Sequence, residues 1–249
     1  MHDNPYSPPQ AHLADFSPAS RREEIEGFRD LTGLVRWLRI ALAALAVIVL
    51  AHAVSLWLQI GLLSGPQSGV RITHEAALAN DRREGLLSIL YFLAYFLASV
   101  LFLRWTYLVK KNAMALGASY LEFDFSPGWS VGYYFVPLAS LVAPYRALKE
   151  TFQASRPEFR PDTERLEWSS APKLLPLWWT LWLVNGFLGQ AIFQYSLHAK
   201  TLPQLLDMSW AHLAGAVLHL PLIAVVWVLI STMQRWQTAR VSNGAAAVT

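Results

Sequence analysis

Four stretches of this chain stay apolar for 22 to 24 residues: 40–63, 86–109, 176–197 and 211–233. A bilayer's hydrocarbon layer is about 30 Å thick and a helix rises about 1.5 Å per residue, so a crossing helix needs about 20 such residues. Buried helices of a soluble bundle would show an apolar stripe every 3.6 residues, whereas these runs are apolar on all sides. Composition agrees. With 54% apolar and 15% charged residues, against roughly 45–50% and roughly 25% in soluble domains, too few charges remain to coat a water-facing globule. The expectation is an all-α integral membrane protein with four transmembrane helices, which excludes an ordinary soluble enzyme. Zero cysteines exclude disulfides, thiolate metal sites and cysteine nucleophiles.

Only the second run carries a charge, Arg104, which can snorkel to the interface beside Trp105, Lys110 and Lys111. Tryptophans 37, 105, 178, 179, 210 and 236 fall at or beside the expected span ends, the level an indole prefers. The first apolar run begins only near residue 40, so no early secretory h-region is visible and the first span is expected to remain as an anchor.

Basic residues assign the sides. With four spans, Arg21, Arg22, Arg29, Arg36 and Arg39 of the N-terminal tail share a side with the nine lysines and arginines between residues 104 and 173, and with Arg235 and Arg240. Only Arg71, Arg82, Arg83 and Lys200 lie opposite, a 16 to 4 split. A crossing by residues 129–148 would divide the same twenty charges 9 to 11. The positive-inside rule favours the first arrangement, which puts both termini and the central connection in the cytoplasm of a bacterial inner membrane. Residues 129–148 then either lie in the interface or dip in and return.

Residues 1–19 contain four prolines and are expected to form a disordered tail, as are 241–249. Ser20 opens a capping-box pattern closed by Glu23, and Ile25, Phe28, Leu31, Val35 and Leu38 follow at helical spacing. An interfacial amphipathic helix over 20–39 is therefore expected, leading into a transmembrane domain over 40–240. Residues 64–85 read as a short outer loop and 155–173 as a charged cytoplasmic connector.

No common hydrolase, zinc-protease, P-loop or dinucleotide motif is present, and the expectation is a protein that is not an enzyme. His74-Glu75 is a lone surface pair, because zinc needs at least three placed ligands. Ser130-Val131-Gly132-Tyr133-Tyr134 approaches a potassium filter's T-V-G-Y-G but lacks the last glycine, and an aromatic interfacial turn accounts for the same residues. Polar residues inside the apolar runs are the stronger lead, since burying them in lipid is costly. They are His52, Asn185, Gln190, Gln194, His212 and His219. His212, Gly215 and His219 share one helix face. Counted from the outer span ends, His52 lies about 16 Å deep and His219 about 12 Å deep. Two readings remain open for them: neutral core histidines sharing hydrogen bonds with the amides of the third span, which is favoured, or a pair able to ligate haem or relay protons. The cofactor expectation is accordingly none, with haem the alternative. Pro221 leaves a backbone carbonyl without its usual donor one turn earlier.

Residues 104–154 carry a recognisable pattern. Arg104, Trp105, Tyr107, Asn112, Gly117, Phe125, Pro127, Gly128, Trp129, Gly132, Pro137, Pro144, Tyr145 and Arg146 resemble the bacterial membrane family catalogued as domain of unknown function 4328. Ser140 stands where that family is expected to carry asparagine. The resemblance implies a bacterial integral membrane protein with several spans; the family has no assigned activity, so no catalytic residues follow from it. Read by itself, the block is a turn at Ser126-Pro127-Gly128 and an aromatic cluster at Trp129, Tyr133, Tyr134 and Phe135. A helix from Pro144 follows, whose Tyr145, Arg146 and Lys149 face the membrane surface.

The expected function is that of a scaffold, assembly factor or regulator. Its partners are the bilayer, anionic lipid headgroups, and another membrane protein or a second copy, with no nucleic acid. A small transporter or channel subunit with a re-entrant 126–154 segment is the alternative, and a haem-binding redox protein a weaker one.

Overall fold

A computed structural model of the protein describes residues 27–65, 69, 71–117, 122–159 and 170–246. Among these residues the helices are α1 (Thr32–Ser64), α2 (His74–Gly117), α3 (Pro127–Gly132), α4 (Ala143–Ser155), α5 (Leu174–Ser196) and α6 (Leu202–Ala246). Two 3₁₀ turns, Tyr133–Phe135 and Ala139–Leu141, link α3 to α4. Among the described residues there is no strand.

Among the described residues three helices, not the expected four, are both long and apolar enough to cross a bilayer: α1, α2 and α6. The expected third span, 176–197, corresponds to α5, which at 23 residues is long enough. Trp178, Trp179, Trp182, Asn185, Gln190 and Gln194 dilute its aliphatic content below that of the other three.

Two helices outrun their apolar stretches. α2 starts at His74 rather than 86, which shortens the expected outer loop, and α6 runs from Leu202 to Ala246, which makes 241–246 helical rather than tail. The expected amphipathic helix over 20–39 is not continuous: residues 27–31 are not helical. α1 begins at Thr32, after Asp30 Oδ1 accepts from the Thr32 hydroxyl at 2.6 Å and its N–H at 2.9 Å. Those two donors hold the Asp30 carboxyl below its ordinary range. The 1–19 tail, the Ser20–Glu23 capping box and residues 160–169 and 247–249 lie outside the described residues.

α1 packs on α2 and on α6, and α6 also packs on α5. Leu38, Leu42, Leu45 and Val49, on one face of α1, share a core with Trp105 and Val109 of α2 and with Leu222, Val226 and Ile230 of α6. The opposite side of α2, with Ile89, Phe92, Phe96 and Val100 exposed, is a surface suited to hydrocarbon. α5 runs antiparallel to α6: Leu188 and Ile192 lie over Gly215, and Asn185 Nδ2 donates to Leu218 O at 3.4 Å, three residues before Pro221.

Both described ends of the chain meet at one end of the bundle. Asn112 Oδ1 accepts from Arg29 N at 2.9 Å, while its Nδ2 donates to Arg29 O at 2.9 Å and to Gln237 Oε1 at 3.2 Å. Gln237 Nε2 donates in turn to Val109 O and Ser155 Oγ. Trp105, Lys110, Trp178 and Trp179, expected at headgroup level, pack against protein here. Trp105 and Lys110 are fully buried, as are Trp178 and, nearly, Trp179, because α4 and its preceding turns cover this end. Lys110 is ion-paired with Glu150 of α4, whose other oxygen accepts from Asp124 N at 2.6 Å. Arg104 remains exposed, as a snorkelling residue should.

Residues 126–142 fold back on themselves. Ser126 Oγ accepts from Trp129 N at 3.3 Å with Pro127 in the first turn. A Cβ on Gly132 would come within 3.1 Å of the Trp129 ring, a tight approach that a side chain there would have to relieve by shifting the indole. At the tip, Ala139 N donates to Pro137 O at 2.7 Å across Leu138, whose φ is 62°, a strained γ-turn of the positive-φ hand. Phe135, Leu138 and Val142 are exposed around this tip.

Candidate functional site

Because α2 leans on α1 and α5 leans on α6, a space is left between the two pairs. It forms a cavity of about 500 Å³. Four helices contribute polar groups to its wall: His52 from α1, Tyr91 and Tyr95 from α2, Asn185 and Ser196 from α5, and His212 and His219 from α6. Gly186 and Gly189 of α5 and Gly215 of α6 also line it. A Cβ placed on Gly186 or Gly189 would meet nothing within 4 Å, so missing side chains help to make the room. A second cavity of about 250 Å³ shares Tyr95, Trp182, His219 and Leu222 with the first and continues to Phe102, Tyr134 and Phe135. Its wall is apolar and aromatic apart from the Tyr95 and Tyr134 hydroxyls, Ser99 and His219.

Two of the three cavity histidines, His52 and His219, are held by neighbouring side chains. His52 Nε2 lies 3.4 Å from Glu84 Oε2, and the other Glu84 oxygen accepts from Ser55 Oγ at 2.5 Å. Arg83 Nε donates to the same Ser55 oxygen at 2.7 Å, and Arg83 Nη2 reaches Asn80 at 2.7 Å. Asn80, Gln59 and Ser209 then continue the ladder between α2, α1 and α6. His219 Nδ1 meets the Tyr91 hydroxyl at 3.3 Å, and Tyr95 packs edge-on against the same imidazole at 5.8 Å. Such pairing is what polar groups inside a membrane bundle require.

Four of the six polar residues expected to cluster do so: His52, Asn185, His212 and His219. Gln190 and Gln194 do not. Both are exposed, and only the backbone oxygen of Gln194 is used, by His198 Nδ1 at 3.0 Å. Helix geometry explains the split, since at about 100° per residue Gln190 sits about 140° and Gln194 about 180° around the helix from Asn185. Glu84, Tyr91 and Tyr95 are the partners that hydropathy overlooks. Glu84 precedes the apolar run, and tyrosines read as ordinary apolar residues.

The Tyr91 ring neighbours both histidines, with centroids 6.2 Å from His52 and 5.8 Å from His219. Among the described residues no group of three or more metal-binding side chains is gathered.

The central block is divided by the fold. Trp105 and Asn112 belong to the buried end of the bundle, and Tyr145 packs on Trp179 at 6.3 Å. Arg146 Nη2 lies 3.5 Å from Asp124 with both side chains largely exposed, and Lys149 is exposed on α4. Pro144 starts α4. Tyr134, beside Tyr133, is wedged between Phe102 of α2 and Trp182 of α5 at 6.3 and 6.0 Å, and Trp179 Nε1 donates to Leu141 O at 3.2 Å. The segment 133–142 thus plugs the gap between α2 and α5. Among the described residues, 130–134 form helix and 3₁₀ turn, unlike the extended carbonyl ladder of an ion filter.

Long apolar helices enclosing a polar cavity define the class: a helical membrane-embedded protein. Within it the chain belongs to the family described as a domain of unknown function (DUF4328), whose model matches residues 68–235. No curated protein and no solved structure matches the chain.

Proposed function

We propose that this is a multi-pass bacterial inner-membrane protein without enzymatic activity, which binds a small amphipathic molecule in the histidine cavity and acts as a regulator or assembly component for a membrane partner. The observation that carries the reading is the joined pair of cavities, polar around His52, His212 and His219 and largely apolar toward Phe102. That combination suits a ligand with a hydrogen-bonding head and a hydrocarbon body. His52 and His219 are already engaged with Glu84 and Tyr91, a pattern suited to orienting a ligand more than to turnover. Native mass spectrometry of protein extracted from its own membranes tests this. The wild type should carry one bound small molecule, and Gly189→Trp, which fills the cavity, should lose it. Ligand-free wild type together with a Gly189→Trp variant of higher stability would mean a void and overturn the reading.

In this reading α5 crosses beside α6. Supporting it are the antiparallel packing of the two helices and the placement of Asn185 toward the cavity, with Gln190 and Gln194 in the last two turns near the outer interface. Both termini and residues 118–173 are then cytoplasmic, on the side of the end where Arg29 and Gln237 share Asn112, and the 16 to 4 division of the basic residues in the sequence accords with the positive-inside rule. Reporter fusions after residues 160 and 245 should report cytoplasm, and fusions at 70 and 203 the opposite side. An outside signal at 160 would contradict this.

Transport is the second reading, favoured by the continuity of the two cavities up to Phe135 in the plug. In proteoliposomes it would show as ligand flux that depends on residues 133–142.

A further inference from the structure

We propose that a groove between α1 and α6 at the cytoplasmic end binds the phosphate of an anionic phospholipid. The inference uses the membrane orientation argued above but neither the histidine cavity nor the α4 surface. The groove has a volume of about 420 Å³ and is lined by Thr32, Arg36, Arg39, Ile40, Trp227 and Gln234, among others. Arg36 and Arg39, at i and i+3, present two cations to the same side of α1.

Arg39 is fixed in place. Its Nη2 donates to Ser231 Oγ of α6 at 2.9 Å, and its guanidinium lies over the Trp227 ring at 5.8 Å. Its Nε is buried with no hydrogen-bond partner among the described residues, so the protein leaves the guanidinium only partly satisfied. Arg36 is exposed beside the Trp37 ring. Among the described residues neither arginine has a carboxylate within ion-pair distance. Asp30, two residues before Thr32, is committed to the Thr32 hydroxyl and N–H. Two uncompensated guanidiniums at the edge of an apolar run are complementary to phosphate, which takes the guanidinium fork with charge-assisted hydrogen bonds.

The other half of the groove is apolar. Ile40 is 50% and Trp227 39% exposed, and Ala43 lies one turn deeper, so acyl chains can descend over them from a phosphate held at Arg36 and Arg39. A choline headgroup would bring its own cation into this field, whereas phosphatidylglycerol brings net negative charge. The site therefore discriminates by headgroup charge.

The test is titration of the delipidated full-length protein in neutral detergent, read by native mass spectrometry, with phosphatidylglycerol, phosphatidylcholine and inorganic phosphate. Phosphatidylglycerol should bind in preference to phosphatidylcholine. Arg36→Gln and Arg39→Gln should each weaken it about fivefold, the equivalent of about 1 kcal/mol, and the double variant should lose the preference. Glutamine can still donate to Ser231, so an unchanged melting temperature will show that the fold is kept, and Arg39→Lys should bind less tightly than the wild type because it loses the fork. Lys149→Gln should leave the preference intact. A preference that survives the double variant, or that disappears in Lys149→Gln instead, overturns the site. Displacement of the lipid by millimolar inorganic phosphate would identify a soluble anion as the occupant and overturn the lipid assignment.

Discussion

Glu150→Ala is expected to destabilise the protein by about 3–5 kcal/mol, among the largest effects of any single substitution, because it strands a buried charge. The Lys110 side chain is 0% exposed, and its ammonium has the Glu150 carboxylate and the face of Phe123, 4.3 Å away, for company. Removing the carboxylate leaves the cation desolvated and also frees Asp124 N–H, which Glu150 Oε1 accepts at 2.6 Å. The double change Lys110→Met with Glu150→Leu should recover most of the loss, since an apolar pair of similar volume often equals or exceeds a buried ion pair. Arg146→Ala breaks an exposed pair with Asp124 and a contact over the Phe125 ring at 5.7 Å, and should cost less than about 1 kcal/mol. Denaturant titration in detergent measures all three. An unchanged midpoint for Glu150→Ala would mean that α4 does not cover Lys110.

Asn112→Leu should cost about 1–3 kcal/mol, the penalty for leaving hydrogen-bonding groups at a closed helix end without partners. One amide serves Arg29 N, Arg29 O and Gln237 Oε1, so it joins the lead-in to α1, the end of α2 and the end of α6. The loss should be local as well as global: amides of residues 27–31 should exchange with solvent faster in the variant, while those of the α1 core near Leu45 keep their protection until global unfolding. Unchanged exchange at 27–31 would show that Asn112 does not tether this segment.

How far the sequence reveals this architecture differs between its parts. The three qualifying spans are legible because hydrocarbon demands long apolar runs, and an aliphatic run is visible without knowing its neighbours. Their ends are less so. α2 extends twelve residues before its apolar run through Asp81, Arg82, Arg83 and Glu84, which hydropathy reads as loop. Those residues stay helical because Arg83 and Glu84 find Ser55 on α1. α5 falls short of the other spans since tryptophans and amides, suited to a cavity wall and to helix contact, weaken the signal that marks lipid-facing segments.

The site follows the same logic. His52, His212, His219 and Asn185 stand out as polar groups in apolar surroundings, yet depth alone cannot tell which way a side chain faces. Angular position can: the stripe of Asn185, Gly189, Ile192 and Ser196 lines the cavity, and Gln190 and Gln194 fall off it. Lys110 and Trp105 look like surface residues of a span end from their place at the end of an apolar run. Covering by α4 and its turns is a tertiary event that no local window records. Asn112 and Gly132, both part of the family pattern, acquire physical reasons only in the fold, one as the tether at the bundle's end and the other as the space for the Trp129 ring.

The most direct test of the account is an experimental structure of the protein in a lipid nanodisc made from its native membrane lipids, examined at the cavity between α2 and α5. The account predicts discrete non-protein density there, its polar end within hydrogen-bonding distance of His212 or His219 and its apolar end directed toward Phe102 and Tyr134. A cavity closed by α5 packing directly on Tyr91 and Tyr95, or holding only water, would contradict it.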